Sequence, residues 1–292
     1  MPLRAALAAA SLIALTPSAF AMNDPIERYG QFAETRSFTV DYSPMDALAQ
    51  VFGVEERGRF KPAYDVLGGD GKAPMAQYLS YLAQFDTARM TRDDQLAYWL
   101  NVRNLLVLQA IGDERSRRGF EEKRGHGAAP GEMWTAKRFR HGDIELSIND
   151  IERRILLAHF EDPNIIYGLY QATADSPALV ANGFRGDTVR QQLADAGRDF
   201  VNSRDGLRLR RGRAELAQVF EWYQDDLFGG DHAAMVAHVS QFLDAEDQAK
   251  LQAAEEIQFQ KFNYRIEEFR PRQQQFSGGG FGGGGGGGGF GS

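Results

Sequence analysis

The run Gln95-Leu-Ala-Tyr-Trp-Leu-Asn-Val-Arg-Asn-Leu-Leu-Val-Leu-Gln-Ala-Ile111 constrains this chain more than any other stretch. Leu96, Trp99, Leu100, Val107 and Ile111 recur at spacings of three, four and seven, the period of a helix. Leu105, Leu106 and Leu108 widen the apolar stripe until most of the circumference needs cover. Thr91 is placed to cap this helix, and Asp93 and Asp94 put negative charge where the helix dipole favours it. Gly112 predicts a stop in the left-handed conformation. A helix of this kind over 91–111 belongs at the centre of a domain. Asn101 and Asn104 are three apart and share a face. A buried amide without partners costs roughly 1–3 kcal/mol, so both are expected to bond inward, to loop backbone or at the wall of a pocket.

Upstream, residues 1–21 have the build of a secretory signal peptide. Arg4 gives a positive start, Leu7 to Leu15 an apolar run, and Ala19-Phe20-Ala21 a cleavage site. The run is too short to span a bilayer and Pro17 interrupts it. The mature chain is therefore expected to start at Met22 and to be periplasmic or secreted, with no membrane span after cleavage; Asn101, Arg103 and Asn104 argue against one in the central helix. The chain contains no cysteine, which excludes disulfides, thiol catalysis and thiolate metal sites. Its net charge is −7, and −8 once Arg4 leaves, which disfavours nucleic acid and anionic membrane surfaces. No H-E-x-x-H, P-loop, dinucleotide or G-x-S-x-G motif occurs. His232 and His238, six apart, do not share a helix face. No metal and no cofactor are expected.

The remaining pattern predicts an α+β fold: a small, mostly antiparallel sheet packed against helices around the central buried helix. Ser43-Pro44 opens a helix to about Phe52. Residues 55–71 read as mostly loop. Pro74 to Phe85 is amphipathic, with Met75, Tyr78, Leu79 and Leu82 on one face. Residues 119–131, with His126, read as a polar glycine-rich loop. A hairpin over 137–147 turns at His141-Gly142-Asp143. Ser147 and Asp150 form a capping-box pattern for the next helix. Residues 164–171 read as a buried strand. After a loop at 172–179, Asp187 opens a helix to Val201, and Leu207 to Arg211 alternates as a strand. Helices are expected at 215–227, 231–243 and 247–260, and a closing strand at 262–269. Residues 22–270 are thus expected to form one globular domain. Residues 271–292, dominated by glycine from Gly278 onward, read as a disordered tail.

Four segments carry a family resemblance: Ala97-Tyr-Trp-Leu-Asn-Val-Arg-Asn104, Leu146-Ser-Ile-Asn-Asp-Ile-Glu-Arg-Arg-Ile-Leu156, Ile166 to Leu179, and Val219-Phe-Glu-Trp-Tyr-Gln-Asp-Asp-Leu-Phe228. In order and spacing they resemble the Domain of Unknown Function 547 family over about Leu96 to Leu243. The third lies without gaps against a family segment reading approximately H-F-A-L-V-C-G-S-R-S-C-P-P-L. In that resemblance the family's two cysteines fall on Gln171 and Ser176, and the histidine of its N-D-I-E-H segment falls on Arg153. A Cys–His chemistry of the thiol-hydrolase type would lack both partners here. A serine hydroxyl at 176 needs a base within hydrogen-bond reach to act as a nucleophile. Arg153 could instead hold a carboxylate or phosphate in a bidentate fork. Binding is therefore expected of Asn101, Asn104, Asn149, Asp150, Arg153, Gln171 and Ser176. The chain reads as a non-catalytic module whose partner is a small anionic ligand or a periplasmic protein. The alternative is a hydrolase or transferase in which Ser176 or Glu152 does the chemistry. A purely structural role is open for each: Asn149 and Asp150 satisfy a first helical turn, and Trp99 and Trp222 are core.

Overall fold

The computed structural model describes residues 24–114, 118–126 and 129–270; the signal-like segment and the glycine-rich tail lie outside the described residues. In chain order the helices are α1 (Ser43–Val51), α2 (Tyr64–Gly68), α3 (Lys72–Leu82), α4 (Arg92–Gly112), α5 (Phe120–Arg124), α6 (Glu132–Thr135), α7 (Leu157–His159), α8 (Val189–Val201), α9 (Gln218–Trp222), α10 (Gln224–Phe228), α11 (His232–Ser240) and α12 (Ala245–Gln252). The strands are β1 (Gly53–Glu56), β2 (Arg59–Pro62), β3 (Gly125–His126), β4 (Ala129–Pro130), β5 (Lys137–His141), β6 (Ile144–Ser147), β7 (Leu207–Arg210), β8 (Arg213–Leu216) and β9 (Glu256–Phe259).

Helix α4 is the axis of the fold, as its pattern predicts. Thr91 Oγ1 accepts from the Asp94 N–H at 3.3 Å, which caps it. Trp99, Leu100, Leu106 and Ile111 are fully buried, because α2, α3, α8 and the helical stretch that begins at Asp150 surround it. Its end differs from the expectation. Gly112 is still helical and is not among the residues of positive φ; Asp113 follows in right-handed geometry. What Gly112 permits is a backbone contact with Gly68 at the end of α2: a Cβ on Gly68 would lie 1.9 Å from the Gly112 carbonyl oxygen. Neither helix can yield cheaply there, since both are backbone. Gly68→Ala is expected to destabilise by about 1–3 kcal/mol, the usual cost of overpacking. A urea midpoint unchanged from wild type would show that α2 simply slides away.

The fold class is α+β, but the sheet is not single. Strands β1–β2, β3–β4 and β5–β6 are separate antiparallel pairs; β7, β8 and β9 form one three-stranded sheet in which β9 runs parallel to β8. The β5–β6 hairpin turns where the sequence placed it. The β1–β2 hairpin was missed within a stretch read as loop. Its turn is Arg57-Gly58, with φ of 55° and 72°, the geometry of a two-residue turn that matches strand twist. The polar 119–131 stretch likewise contains α5, β3 and β4.

Residues 164–171 are not a strand. Pro163–Gly168 is a 3₁₀ helix, capped by Asp162, whose side chain accepts from the Asn164 N–H at 2.9 Å. Ile165, Ile166 and Tyr167 are buried on every side, and an apolar run of that kind carries no period to separate helix from strand. Residues 213–216 pair as β8, and α9 and α10 share what was expected to be one helix over 215–227. At the C-terminal end β9 takes residues expected to be helical. Residues 262–269 form a strap rather than a strand: one bridge between Thr173 and Ile266, with Glu267 donating to the Ala172 carbonyl and Phe269 to that of Pro62, each at 2.9 Å.

Candidate functional site

The segment after β6 begins with a capping box. Ser147 N–H and Oγ both donate to Asp150 Oδ2, at 2.7 and 2.5 Å, and the Asp150 N–H donates back to Ser147 Oγ at 3.0 Å. Lys137 Nζ at 2.5 Å and Arg154 Nη1 at 2.8 Å complete the shell. Burial pushes the Asp150 carboxyl up, but the bonds from Lys137, Ser147 and Arg154 outweigh it and hold it at about 2. Every oxygen of Asp150 is thus engaged in the fold, and Asn149 beside it is half-buried. Asp150–Leu156 then winds as a π-helix, with the Leu157 N–H reaching back five residues to the Glu152 carbonyl. Such wide turns cluster at functional sites.

On this turn Glu152 enters the core and starts a closed network. Its Oε2 accepts from Arg103 Nη2 at 2.6 Å and Nε at 3.2 Å; the Arg103 side chain is fully buried and that of Glu152 is 3 % exposed. Arg103 Nη1 donates to Asn104 Oδ1 at 3.0 Å and to the Tyr170 carbonyl. Glu152 Oε1 accepts from the Tyr223 hydroxyl at 2.7 Å, and that hydroxyl accepts from Gln171 Nε2 at 2.8 Å. Gln171 Oε1 accepts from Arg124 Nη2 at 2.7 Å. The Arg124 guanidinium is buried, bonds the Gly125 carbonyl at 3.1 Å, and lies 4.5 Å from the Trp222 ring centre and 5.2 Å from that of Trp134. Burial pushes the Glu152 carboxyl up; the charges of Arg103 and Arg124, helped by the Tyr223 hydroxyl, overcome this and hold it below its usual value. Burial lowers Arg124. The network is therefore ionised, and it is internal.

This arrangement brings together Gln171 and Arg153, the positions where the resembled family has a cysteine and its histidine. Both touch Tyr223: Gln171 through the hydroxyl, Arg153 with its guanidinium 5.0 Å from the ring centre. Arg153 also pairs with Asp226 and donates to the Trp222 carbonyl at 3.4 Å. Arg154, beside it, pairs with Asp24 and Asp150. Ser176 lies apart from this cluster's bonds. It is fully buried, and its Oγ donates to the Thr173 carbonyl at 2.8 Å, with the Pro177 carbonyl at 3.4 Å; among the described residues it bonds no histidine and no carboxylate.

The two asparagines serve different loops. Asn101 Nδ2 donates to the Phe184 carbonyl at 2.9 Å and its Oδ1 accepts from the Phe184 N–H at 2.7 Å. Asn104 Nδ2 donates to the Gly168 carbonyl at 2.9 Å. Asn104 also lines an apolar cavity with Met45, Phe52, Leu108 and Leu179; about 20 Å³ is open to the centre of a water-sized sphere, room for one or two waters. Asn101→Leu leaves the Phe184 N–H unpaired and its carbonyl with only the long bond from Arg185 Nη1 at 3.5 Å, and is expected to cost roughly 1–3 kcal/mol. Wild-type stability in guanidinium titration would show that the 184 loop finds other partners.

Sequence reasoning missed Arg103, Arg124 and Tyr223 as members of the site. Arg103 had a signal: a charge in the middle of an all-apolar helix is almost never fully buried unless paired. Arg124 had none, and Tyr223 had only its place in the fourth family-like segment, Val219 to Phe228. Among the described residues no three metal-binding side chains converge, and no helix is long and apolar enough to cross a membrane.

Residues 87–201 match the model of the family described as "Protein of unknown function, DUF547". No curated protein and no solved structure matches the chain. The match takes in three of the four segments singled out from the sequence, with α4, the π-turn and the 171–176 loop. Through residues 87–201 the chain belongs to the DUF547 family.

Proposed function

We propose that this chain is an exported binding module of the DUF547 family that performs no covalent catalysis. The observation that carries this reading is the fate of the diverged positions. Gln171 has both ends of its amide bonded to Arg124 and Tyr223, and Arg153 is paired with Asp226 and packed on Tyr223. Ser176 is closed off from solvent and gives its proton to a backbone carbonyl. A nucleophile needs a base beside it and an approach for substrate, and Ser176 has neither. Glu152, the other candidate, is held ionised by Arg103 with no opening to solvent, which suits neither a general acid nor a nucleophile. Export rests on the signal-like residues 1–21, and N-terminal sequencing of protein recovered from the periplasmic fraction should begin at Met22. Incubation of the purified mature protein with a serine-directed fluorophosphonate is expected to give no adduct by intact mass. Stoichiometric labelling mapped to Ser176 would overturn the non-catalytic reading in favour of a serine hydrolase or transferase.

A further inference from the structure

A binding module needs a surface; Gln171 and Ser176 are buried, and Arg153, though 19 % exposed, is taken up by Asp226, so the diverged positions do not provide it. One groove does. It lies between α8, the Arg57-Gly58 turn and residues Ala178, Leu179 and Val180, and it encloses about 840 Å³, within the range of ligand-binding clefts. One wall is a single face of α8, with Gln192, Asp195, Ala196 and Asp199 at helical spacing and Phe200 beside them. The other wall is Ala178, Leu179 and Val180, which lie in no helix, strand or turn.

That second wall carries an open backbone edge. Among the described residues the N–H groups of Ala178, Leu179 and Val180 and the carbonyls of Ala178 and Leu179 make no hydrogen bond. Buried or half-buried backbone normally finds a partner, so a segment with five unpaired groups in a row stands ready to receive one. The segment is also held in place. Arg59 Nη2 donates to the Ser176 carbonyl at 3.0 Å while its guanidinium is paired with Glu267 at 2.8 Å, which fixes the near end to the β1–β2 hairpin and the C-terminal strap. The far end is fixed by the Val180 carbonyl, which accepts from the Gly183 N–H at 2.9 Å.

The geometry points to an extended peptide as the occupant: a segment of a partner protein that adds alongside Ala178–Val180 by backbone pairing, with an acidic side chain at Arg57. Backbone addition of this kind takes its affinity from main-chain bonds and its specificity from alternate side chains. One observation favours an acidic side chain at the Arg57 end. The groove holds Arg57, Arg59 and Arg198 together with Asp195 and Asp199. Of those arginines, Arg59 is paired with Glu267 and Arg198 with Asp195, while Arg57 has no ion pair among the described residues. Leu179, Val180, Ala196 and Phe200 supply the apolar floor for a small side chain two positions along.

This inference rests on the binding reading above, and it fails separately from it. The probe is a displayed library of random dodecapeptides, selected on the immobilised mature protein with the Ala196→Arg variant as counter-target. Selected sequences are expected to share an acidic position, and synthetic copies should bind wild type by fluorescence anisotropy. Ala196→Arg, which lays a long side chain across the floor, is expected to weaken them at least about tenfold. Arg57→Glu, which puts one unbranched exposed side chain in place of another on the turn, should do the same and relieve the acidic preference. Ala178→Pro removes one N–H and should cost about three- to tenfold, the worth of one neutral hydrogen bond; the resembled family segment has proline at that position, so the variant is expected to fold. Failure to enrich any peptide over Ala196→Arg, or peptides that bind all three variants as well as wild type, would overturn the groove while leaving the labelling result untouched. Labelling of Ser176 would do the reverse.

Discussion

Arg103→Met is expected to lower the free energy of unfolding by about 3–5 kcal/mol, the cost of leaving one member of a buried ion pair without its partner. For a folded region of this size that corresponds to a drop in melting temperature of roughly 6–20 °C. The reason is local. Arg103 gives Glu152 two bonds to one oxygen, and it also bonds Asn104 and the Tyr170 carbonyl. Its removal strips the nearest positive charge from a carboxylate whose side chain is 3 % exposed, and leaves two further acceptors unmet. Arg124 is the remaining cation, but its guanidinium is bonded to Gln171 and the Gly125 carbonyl. Burial then dominates at Glu152 and draws a proton onto it. The double variant Arg103→Met/Glu152→Leu should recover most of the loss, because replacing both members of a buried pair by apolar groups is often close to neutral. A thermodynamic cycle by urea denaturation checks this. A single-variant loss below about 1 kcal/mol would mean that Glu152 reaches water, and the account of a sealed network would fall with it.

That network explains what the sequence could and could not reveal. The elements set by neighbours in sequence were legible: α4 from its period, the β5–β6 hairpin from Gly142-Asp143, and the Ser147–Asp150 box from its spacing. Elements whose conformation depends on distant cover were not. Ile165 to Tyr167 is apolar all round because α8, with Phe220 of α9 and His238 of α11, covers it, and a run without a polar face has no period to read. Arg124 sits in a polar, glycine-rich stretch that reads as solvent-facing, yet Trp134 and Trp222 cover it from segments 10 and 98 residues away. The site was half legible for the same reason. The family resemblance located Gln171 and Arg153, and only the fold shows that they share Tyr223, a residue beyond the matched segment. Ser176 illustrates the converse. By residue type it is a nucleophile, and its neighbours in space make it a turn-stabilising hydroxyl.

Stability is expected to fall in mild acid, through two histidines that sequence reading set aside. His238 stacks on Tyr167 with ring centres 5.7 Å apart, and its Nε2 lies 3.1 Å from the Tyr167 hydroxyl. Burial against Tyr167, Phe228 and Phe242 pushes its pKa down from 6.5 to about 4. His141 is lowered by burial too, which outweighs the opposite pull of the Phe85 carbonyl 2.9 Å from its Nε2; the Tyr29 hydroxyl lies 3.0 Å from its Nδ1. Between pH 6.5 and about 4 the unfolded chain binds protons that the folded chain refuses, so stability rises with pH across that window and is flat above it with respect to these groups. For His238 the shift corresponds to about 3 kcal/mol lost by pH 4, at roughly 1.4 kcal/mol per unit. Asp150 acts in a lower window: its carboxyl is held at about 2 against an ordinary 3.8, so its contribution is present above 3.8 and disappears as pH falls toward 2. The two are therefore separable. Urea denaturation of wild type at pH 7.5, 5.5 and 4.2 should show a steady decline, and His238→Phe, whatever its absolute stability, should show a shallower one because the unfolded chain no longer gains that proton. Parallel profiles for the two proteins from pH 7.5 to 4.2 would mean that His238 titrates normally in the folded state, and that the space between α11 and Tyr167 is open to water.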